Sequence, residues 1–363
     1  MEVLDNKCPA CGAKIKFNPK NQMWDCEYCG EKFTLEEMQK YKNASSEEAN
    51  KVEIKQTFKD LDLYRCKNCG AEIIADETTT ATFCVYCGST AILKDKINEG
   101  TAPDLIIPFK KVKEDAISAF KKVTKKKPLM PKEFKNPKNI EKIKGVYIPF
   151  WAFDLICEGT CSFNCTDVKT WSDSKYRYTK TDTYLTEINE KSSFEKVLAD
   201  ASSRFDDNLM DSIEPFDYKE LTNYNHAYLS GFFAEKYDVN QEESIKRAEE
   251  RTMKTCVDLA KEKIYHQTKR VKDNNFNLTN NKTNYIMLPV WMLNIKFNNK
   301  IYTFAMNGQT GKIVGNIPLD KKKICLWSLL VFISLFVIIY LIFSIIWWGE
   351  YEKNIICSIN IFY

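Results

Sequence analysis

The sequence predicts an α+β chain: two small cysteine-framed ribbons at the N-terminus, a larger domain of mixed β-sheet and helix, and one C-terminal helix suited to a lipid bilayer. Three observations predict it. Eight of the fourteen cysteines fall into two copies of one spacing. Residues 324–348 carry no charge. Between these features, more than two hundred of the 363 residues remain, enough to bury a core.

The ribbons come first in the chain. Cys8, Cys11, Cys26 and Cys29 form one copy; Cys66, Cys69, Cys84 and Cys87 form the other, each 58 positions after its counterpart. A glycine follows every pair, at Gly12, Gly30, Gly70 and Gly88. Two residues between paired cysteines let a tight turn aim both sulfurs at one ion, and the glycine lets the backbone fold beneath it with positive φ. Four thiolates per copy match a closed tetrahedral site, so the pattern predicts two structural Zn2+ ions in zinc ribbons at residues 5–33 and 63–95. No position is left for water, so catalytic zinc is not expected. Residues 15–17 and 22–24 read as short strands. The alternative is a disulfide framework. It is disfavoured because the chain opens with acidic Met1-Glu2-Val3-Leu4-Asp5 rather than a signal peptide.

Next come the linker and the larger domain. Residues 34–62 separate the ribbons, with a capping box at Thr34-Leu35-Glu36-Glu37 opening a short helix. The cytosolic α+β domain is expected over residues 103–320. Residues 105–109 read as a strand, and 114–123 as a helix with Ala116, Ile117, Phe120 and Val123 on one side. Lys121, Lys122, Lys125, Lys126 and Lys127 end that helix. They read as a solvated helix end, where cations suit the macrodipole, or as a site for phosphate or anionic lipid. Pro128, Pro131 and Pro137 interrupt the following stretch. Residues 146–153 resume as a strand, and the alternation to residue 186 predicts a β-meander. Residues 194–205 read as a helix. Residues 241–267 read as a long amphipathic helix facing inward through Ile245, Ala248, Met253, Cys256, Val257, Ala260 and Ile264. Two strands, 285–297 and 300–306, meet in a tight hairpin at Asn298-Asn299, and Asn307-Gly308-Gln309-Thr310-Gly311 is a further turn.

The last element is apolar. At about 1.5 Å per residue, residues 324–348 span roughly 37 Å, against a hydrocarbon core of about 30 Å. Trp327, Trp347 and Trp348 sit where interfacial anchors belong, and Lys321, Lys322 and Lys323 precede the span. The positive-inside rule places the large N-terminal part in the cytoplasm, in keeping with reduced cysteines. The expectation is a single-pass protein of the cell membrane, with a short tail at residues 349–363.

A fainter repeat lies within the domain. Ile148-Pro149-Phe150-Trp151-Ala152-Phe153-Asp154 matches Leu288-Pro289-Val290-Trp291-Met292-Leu293-Asn294 in residue type. It suggests two related β-units packed against each other, and the prolines suggest edges or bulges. Residues 66–88 with Ala81-Thr82-Phe83, the Ile148-Pro149-Phe150-Trp151 strand, Ala227-Tyr228-Leu229-Ser230-Gly231-Phe232 with Glu235-Lys236-Tyr237-Asp238-Val239, and residues 302–312 together resemble one family. This is the YdjG-like family of bacterial membrane proteins with N-terminal TFIIB-type zinc ribbons. The resemblance covers nearly the whole chain. It implies a membrane scaffold working with membrane proteins and with peripheral proteins of phage-shock or SPFH type in envelope stress.

No enzyme is expected. The only histidines, His226 and His266, stand in no motif with a nucleophile or a metal spacing, and no P-loop, G-x-G-x-x-G or G-x-S-x-G occurs. No small-molecule substrate is expected either. Cys157, Cys161 and Cys165 are spaced along one strand face over roughly 27 Å, too far apart for one ion. The formal charge is +4, which two Zn(Cys)4 sites bring near neutral. Acidic Asp25, Glu27 and Glu31 interleave with Lys14, Lys16 and Lys20 around the first ribbon. Protein binding is therefore favoured over nucleic-acid binding, which stays as the alternative.

Overall fold

The computed structural model describes residues 8–13, 15–44, 62–66, 72–75, 92–95 and 102–359. At the N-terminus, β1 (Ile15–Asn18), β2 (Met23–Cys26) and β3 (Lys32–Phe33) form an antiparallel sheet of their own. α1 (Leu35–Ala44) follows, opened by the expected capping box. The Thr34 N–H donates to Glu37 Oε2 at 2.7 Å, and the Glu37 N–H donates to Thr34 Oγ1 at 3.3 Å. Then β4 (Asp62–Cys66), β5 (Glu72–Ala75) and β6 (Ile92–Asp95) extend one side of a much larger sheet, eleven-stranded among the described residues.

That sheet is built from two units. The first runs β7 (Leu105–Ile106), α2 (Lys113–Lys125), the short α3 (Pro137–Ile140), β8 (Lys144–Ser172) and β9 (Arg177–Asp200). After α4 (Asp207–Ser212) and β10 (Thr222–Asn223), the second runs β11 (Phe233–Glu235), α5 (Gln241–Glu262), β12 (Thr268–Phe297) and β13 (Lys300–Asn307). β14 (Ile313–Gly315) then lies against β13. The turn between β12 and β13 is the expected tight hairpin, with Asn298 and Asn299 both at positive φ.

The two proline-tryptophan segments are direct neighbours: Ile148 pairs with Leu288 in the antiparallel β8–β12 ladder. Around this pair the units follow a local two-fold. β11 runs parallel to β8 at Phe233–Val146, and β7 runs parallel to β12 at Leu105–Ile286. Asp200 pairs with Phe150, and Asn307 pairs with Val290. Trp151 Nε1 donates to the Val239 carbonyl at 3.0 Å, and Trp291 Nε1 donates to the Lys111 carbonyl at 2.8 Å. The first strands are exchanged, because each unit's opening strand pairs with the long strand of the other.

Both prolines therefore sit in the centre of the sheet, contrary to the expectation of an edge. In a strand a residue's N–H and C=O point to the same side. The Pro149 carbonyl accepts from Ala201 at 3.0 Å and the Pro289 carbonyl from Gly308 at 2.8 Å. The missing N–H thus faces a loop rather than the β8–β12 ladder.

Alternate residues of β8 and β12 point into two cores. Tyr147, Tyr285, Met287 and Trp291 face one that also holds Phe109 and Phe120. Val146, Ile148, Phe150, Ile286, Leu288 and Val290 face the other, closed by Met210 of α4 and by Ile213 and Phe216. Beyond these cores β9, β8 and β12 continue as a long arm. α5 covers one side of it: Cys256 and Ala260 of α5, and Ile264 just beyond its end, pack with Cys157, Cys161, Phe163 and Cys165.

Residues 194–205 are not a helix. β9 continues to Asp200 and stays paired with β8. The register shifts between Phe153 and Leu155, and Lys196 adopts a φ of 55° while its N–H donates to Asp154 Oδ1. This bulge breaks strand alternation and leaves Phe194, Val197, Leu198 and Ala201 at helix-like spacing.

The chain closes with α6 (Lys321–Ile359). Its stretch Lys321–Ile345 is long and apolar enough to cross a membrane, and none of it is buried within the protein.

Candidate metal centre

Two turns of the same design place the first four cysteines. In one, the Gly12 N–H donates to the Cys8 carbonyl at 2.8 Å and the Cys8 N–H to the Ala13 carbonyl at 2.7 Å. In the other, the Gly30 N–H donates to the Cys26 carbonyl at 3.0 Å and the Cys26 N–H to the Glu31 carbonyl at 2.9 Å. Gly12 and Gly30 take φ of 73° and 80°, the left-handed conformation that glycine adopts at least cost. The first turn precedes β1 and the second follows β2, so pairing Ile15 with Cys26 brings the turns together.

Cys8 Sγ lies 3.5 Å from Cys29 Sγ, and Cys11 Sγ lies 3.6 Å from Cys26 Sγ. All four sulfurs lie within 4.8 Å of one another. A zinc–sulfur bond of about 2.3 Å implies a tetrahedral edge of about 3.8 Å, so the cluster has the right size for one ion. The four cysteines can hold a metal. Cys8 and Cys26 are buried and Cys11 and Cys29 are exposed, so the site opens to solvent on one side.

The electrostatics separate the thiols. The backbone N–H of Cys29 points at the Cys26 sulfur; together with the Tyr28 N–H and the thiols of Cys29 and Cys11, it holds Cys26 down at about 6. The Glu31 N–H favours a Cys29 thiolate, yet desolvation and the three neighbouring thiols push Cys29 up to about 12. Among the four thiols, Cys26 is thus held towards the thiolate and Cys29 towards the thiol. Metal uptake must then release protons.

The unit is fixed to the sheet domain, a connection that the cysteine spacing did not reveal. Trp24 Nε1 donates to the Ala227 carbonyl at 2.9 Å, and the Phe17 N–H donates to the Ser230 carbonyl at 3.2 Å. Gln22 Nε2 reaches the Phe109 carbonyl at 2.8 Å. The rings of Phe17, Trp24 and Tyr228 pack 5.0–5.2 Å apart. The available sequence signal was Ile15, Phe17 and Trp24, which are too apolar to face water in so small a sheet.

Of the second set, Cys66 ends β4 and is buried, while Cys69, Cys84 and Cys87 lie outside the described residues. Cys157, Cys161 and Cys165 line one face of β8 beneath α5. Burial pushes the Cys157 and Cys161 thiols up, as it does Cys256, so these are apolar packing groups rather than ligands. His266 stacks on Tyr184 at 4.5 Å, and its Nδ1 lies 2.9 Å from Asp167 Oδ2.

The chain is similar to the uncharacterized protein YdjG of Bacillus subtilis strain 168. The two are 35% identical over 330 residues, which cover 90% of this chain and 93% of the relative. No family model matches the chain, and no solved structure matches it.

Proposed function

Because the chain belongs to the family of the Bacillus subtilis protein YdjG, we propose that it is a membrane-anchored zinc-ribbon scaffold. In this reading it recruits cytosolic and membrane proteins, among them peripheral proteins of phage-shock or SPFH type, in envelope stress. Zinc is the ion we assign to Cys8, Cys11, Cys26 and Cys29, and by the repeated spacing to Cys66, Cys69, Cys84 and Cys87. It cross-links the ribbons and supplies no catalytic step. α6 spans the membrane once, with the ribbons and sheet domain on the cytoplasmic side.

The observation that carries this reading is the far end of the β8–β9 arm. There Trp171, Tyr176 and Tyr178 are exposed, with Trp171 and Tyr178 stacked at 5.6 Å. Exposed aromatic rings on a rigid support are what protein interfaces use as anchors. The charge around the first ribbon supports a protein partner over nucleic acid. Lys16 is paired with Glu27 at 2.9 Å, and Asn18 and Asn21 both hydrogen-bond Asp25. Phosphates approaching there would meet carboxylates.

The test is cross-linked affinity capture of the full chain from membranes, comparing wild type with W171A/Y176A/Y178A. The reading expects at least one captured protein to be lost with the triple variant while the variant itself stays in the membrane. An unchanged set of captured proteins, together with DNA retained at near-physiological salt, would favour the nucleic-acid alternative.

A further inference from the structure

Two groups of lysines far apart in the sequence meet where α6 leaves the sheet domain. The Asp320 N–H donates to the Leu129 carbonyl at 2.9 Å, and Lys323 Nζ donates to the Met130 carbonyl at 2.5 Å, across 193 positions of chain. The segment they grip is itself fixed. Met130 and Phe134 are buried, and Phe134 packs edge-on against Phe297, Tyr302 and Phe304 of the β12–β13 hairpin. The start of α6 is therefore bound to the same body that carries the end of α2.

That end of α2 is strongly cationic. Lys121, Lys122, Lys125, Lys126 and Lys127 are all exposed, and none forms an ion pair among the described residues. Residues 121–142 hold nine lysines against Glu133 and Glu141. Lys127 is two residues from Leu129, at most about 7 Å of chain, so it lies within about one Debye length of the residues that hold α6. Leu319, 60% exposed, sits beside the same junction. A crowd of like charges repels itself and disfavours the helix end that carries it unless anions lie against it.

We propose that the end of α2 is a second membrane contact: a lysine platform lying on anionic lipid headgroups around the point where α6 enters the bilayer. The proposal rests on the reading of α6 as a membrane-spanning helix. Anionic leaflets attract basic segments held next to a membrane helix. Here the platform comes from a distant part of the chain and is set beside the helix by tertiary contacts. Lipid contact at both places would fix how the sheet domain leans over the membrane.

The full chain is placed in nanodiscs of phosphatidylcholine alone, or with about one-third phosphatidylglycerol. Lysines are then acylated with a water-soluble ester and read by peptide mass spectrometry. Anionic discs should slow acylation of Lys121, Lys122, Lys125, Lys126 and Lys127 about fivefold or more, with high salt reversing the effect. The exposed Lys246 and Lys254 on α5 should react equally in both discs. In a second arm, K121Q/K122Q/K125Q/K126Q/K127Q, which changes only exposed side chains, should reduce the anionic-lipid protection of Lys321 and Lys322. Equal rates in the two discs, with the chain resistant to alkaline extraction, would overturn the platform and leave the membrane helix standing. Protection by duplex DNA on neutral discs would assign the lysines to nucleic acid instead. A chain that alkaline buffer strips from the discs would overturn the membrane helix and the platform together.

Discussion

At Cys26 the backbone itself favours the thiolate, because the N–H groups of Cys29 and Tyr28 are aimed at its sulfur. Cys26→Ser removes both that thiolate and a quarter of the donor set. Metal content of the full chain, by elemental analysis, should fall by one equivalent, and residues 8–33 should lose protection from amide exchange. Unchanged metal content would remove Cys26 from the ligand set. Asp200 shows the opposite shift. Burial pushes its carboxyl up to about 6, although Arg247 lies against it. An acid raised above its unfolded value of about 3.9 adds stability fully present below about pH 4 and lost as pH rises through about 6. Asp200→Asn should flatten that fall, which is about 2–3 kcal/mol across the window at most. Arg247 keeps Asp207 at 3.0 Å and Asp211 at 2.8 Å, so the substitution does not strand it. Urea unfolding of both proteins from pH 4 to pH 7 checks this, and parallel curves would refute it. The meeting of Cys8, Cys11, Cys26 and Cys29 was legible because two paired C-x-x-C turns aim their sulfurs at one point. The bond from Trp24 to Ala227 was not, because its acceptor is a backbone carbonyl 203 positions away and any residue type supplies one.

The elements differ in how openly they were written. α2 and α5 were readable from apolar stripes, and the Asn298-Asn299 turn from the only residue types besides glycine that take left-handed φ with ease. β9 was hidden because its bulge imitates helical spacing. The long arm depends on a position with no side chain. Gly159 has a φ of 150° and faces Phe276 across the ladder, and a Cβ there would lie 2.2 Å from the Asn275 carbonyl oxygen. Backbone cannot yield as a flexible side chain does, so Gly159→Ala should destabilise the arm by about 2 kcal/mol or more. Hydrogen exchange should rise in β8 and β12 on both sides of the substitution. Wild-type stability in this variant would mean that the two strands lie further apart than described.

For the whole molecule, the sequence made the ends plain and the middle obscure. Cysteine spacing and an uncharged stretch are local signals. The exchange of β7 and β11 between the two units is not, since pairing partners leave no mark in a single sequence beyond the faint proline-tryptophan repeat. The orientation of α6 can be tested directly. A reporter active only in the cytoplasm should work when fused before Met1 and fail when fused after Tyr363, and K321E/K322E/K323E should weaken that preference. The reverse pattern would invert the topology. The exchanged strands also set a timetable for synthesis. Asp104, just before β7, accepts from the Tyr285 N–H of β12 across 181 positions. On the ribosome β10 can cover one edge of the opening strand β7, but the other edge must wait for β12, when nearly all of the second unit has emerged. Very little chain separates β13 from α6, so the apolar helix follows almost at once. Completion of the sheet and release of the apolar helix thus fall close together in time, and the open strand edges of the nascent first unit need shelter from aggregation until then.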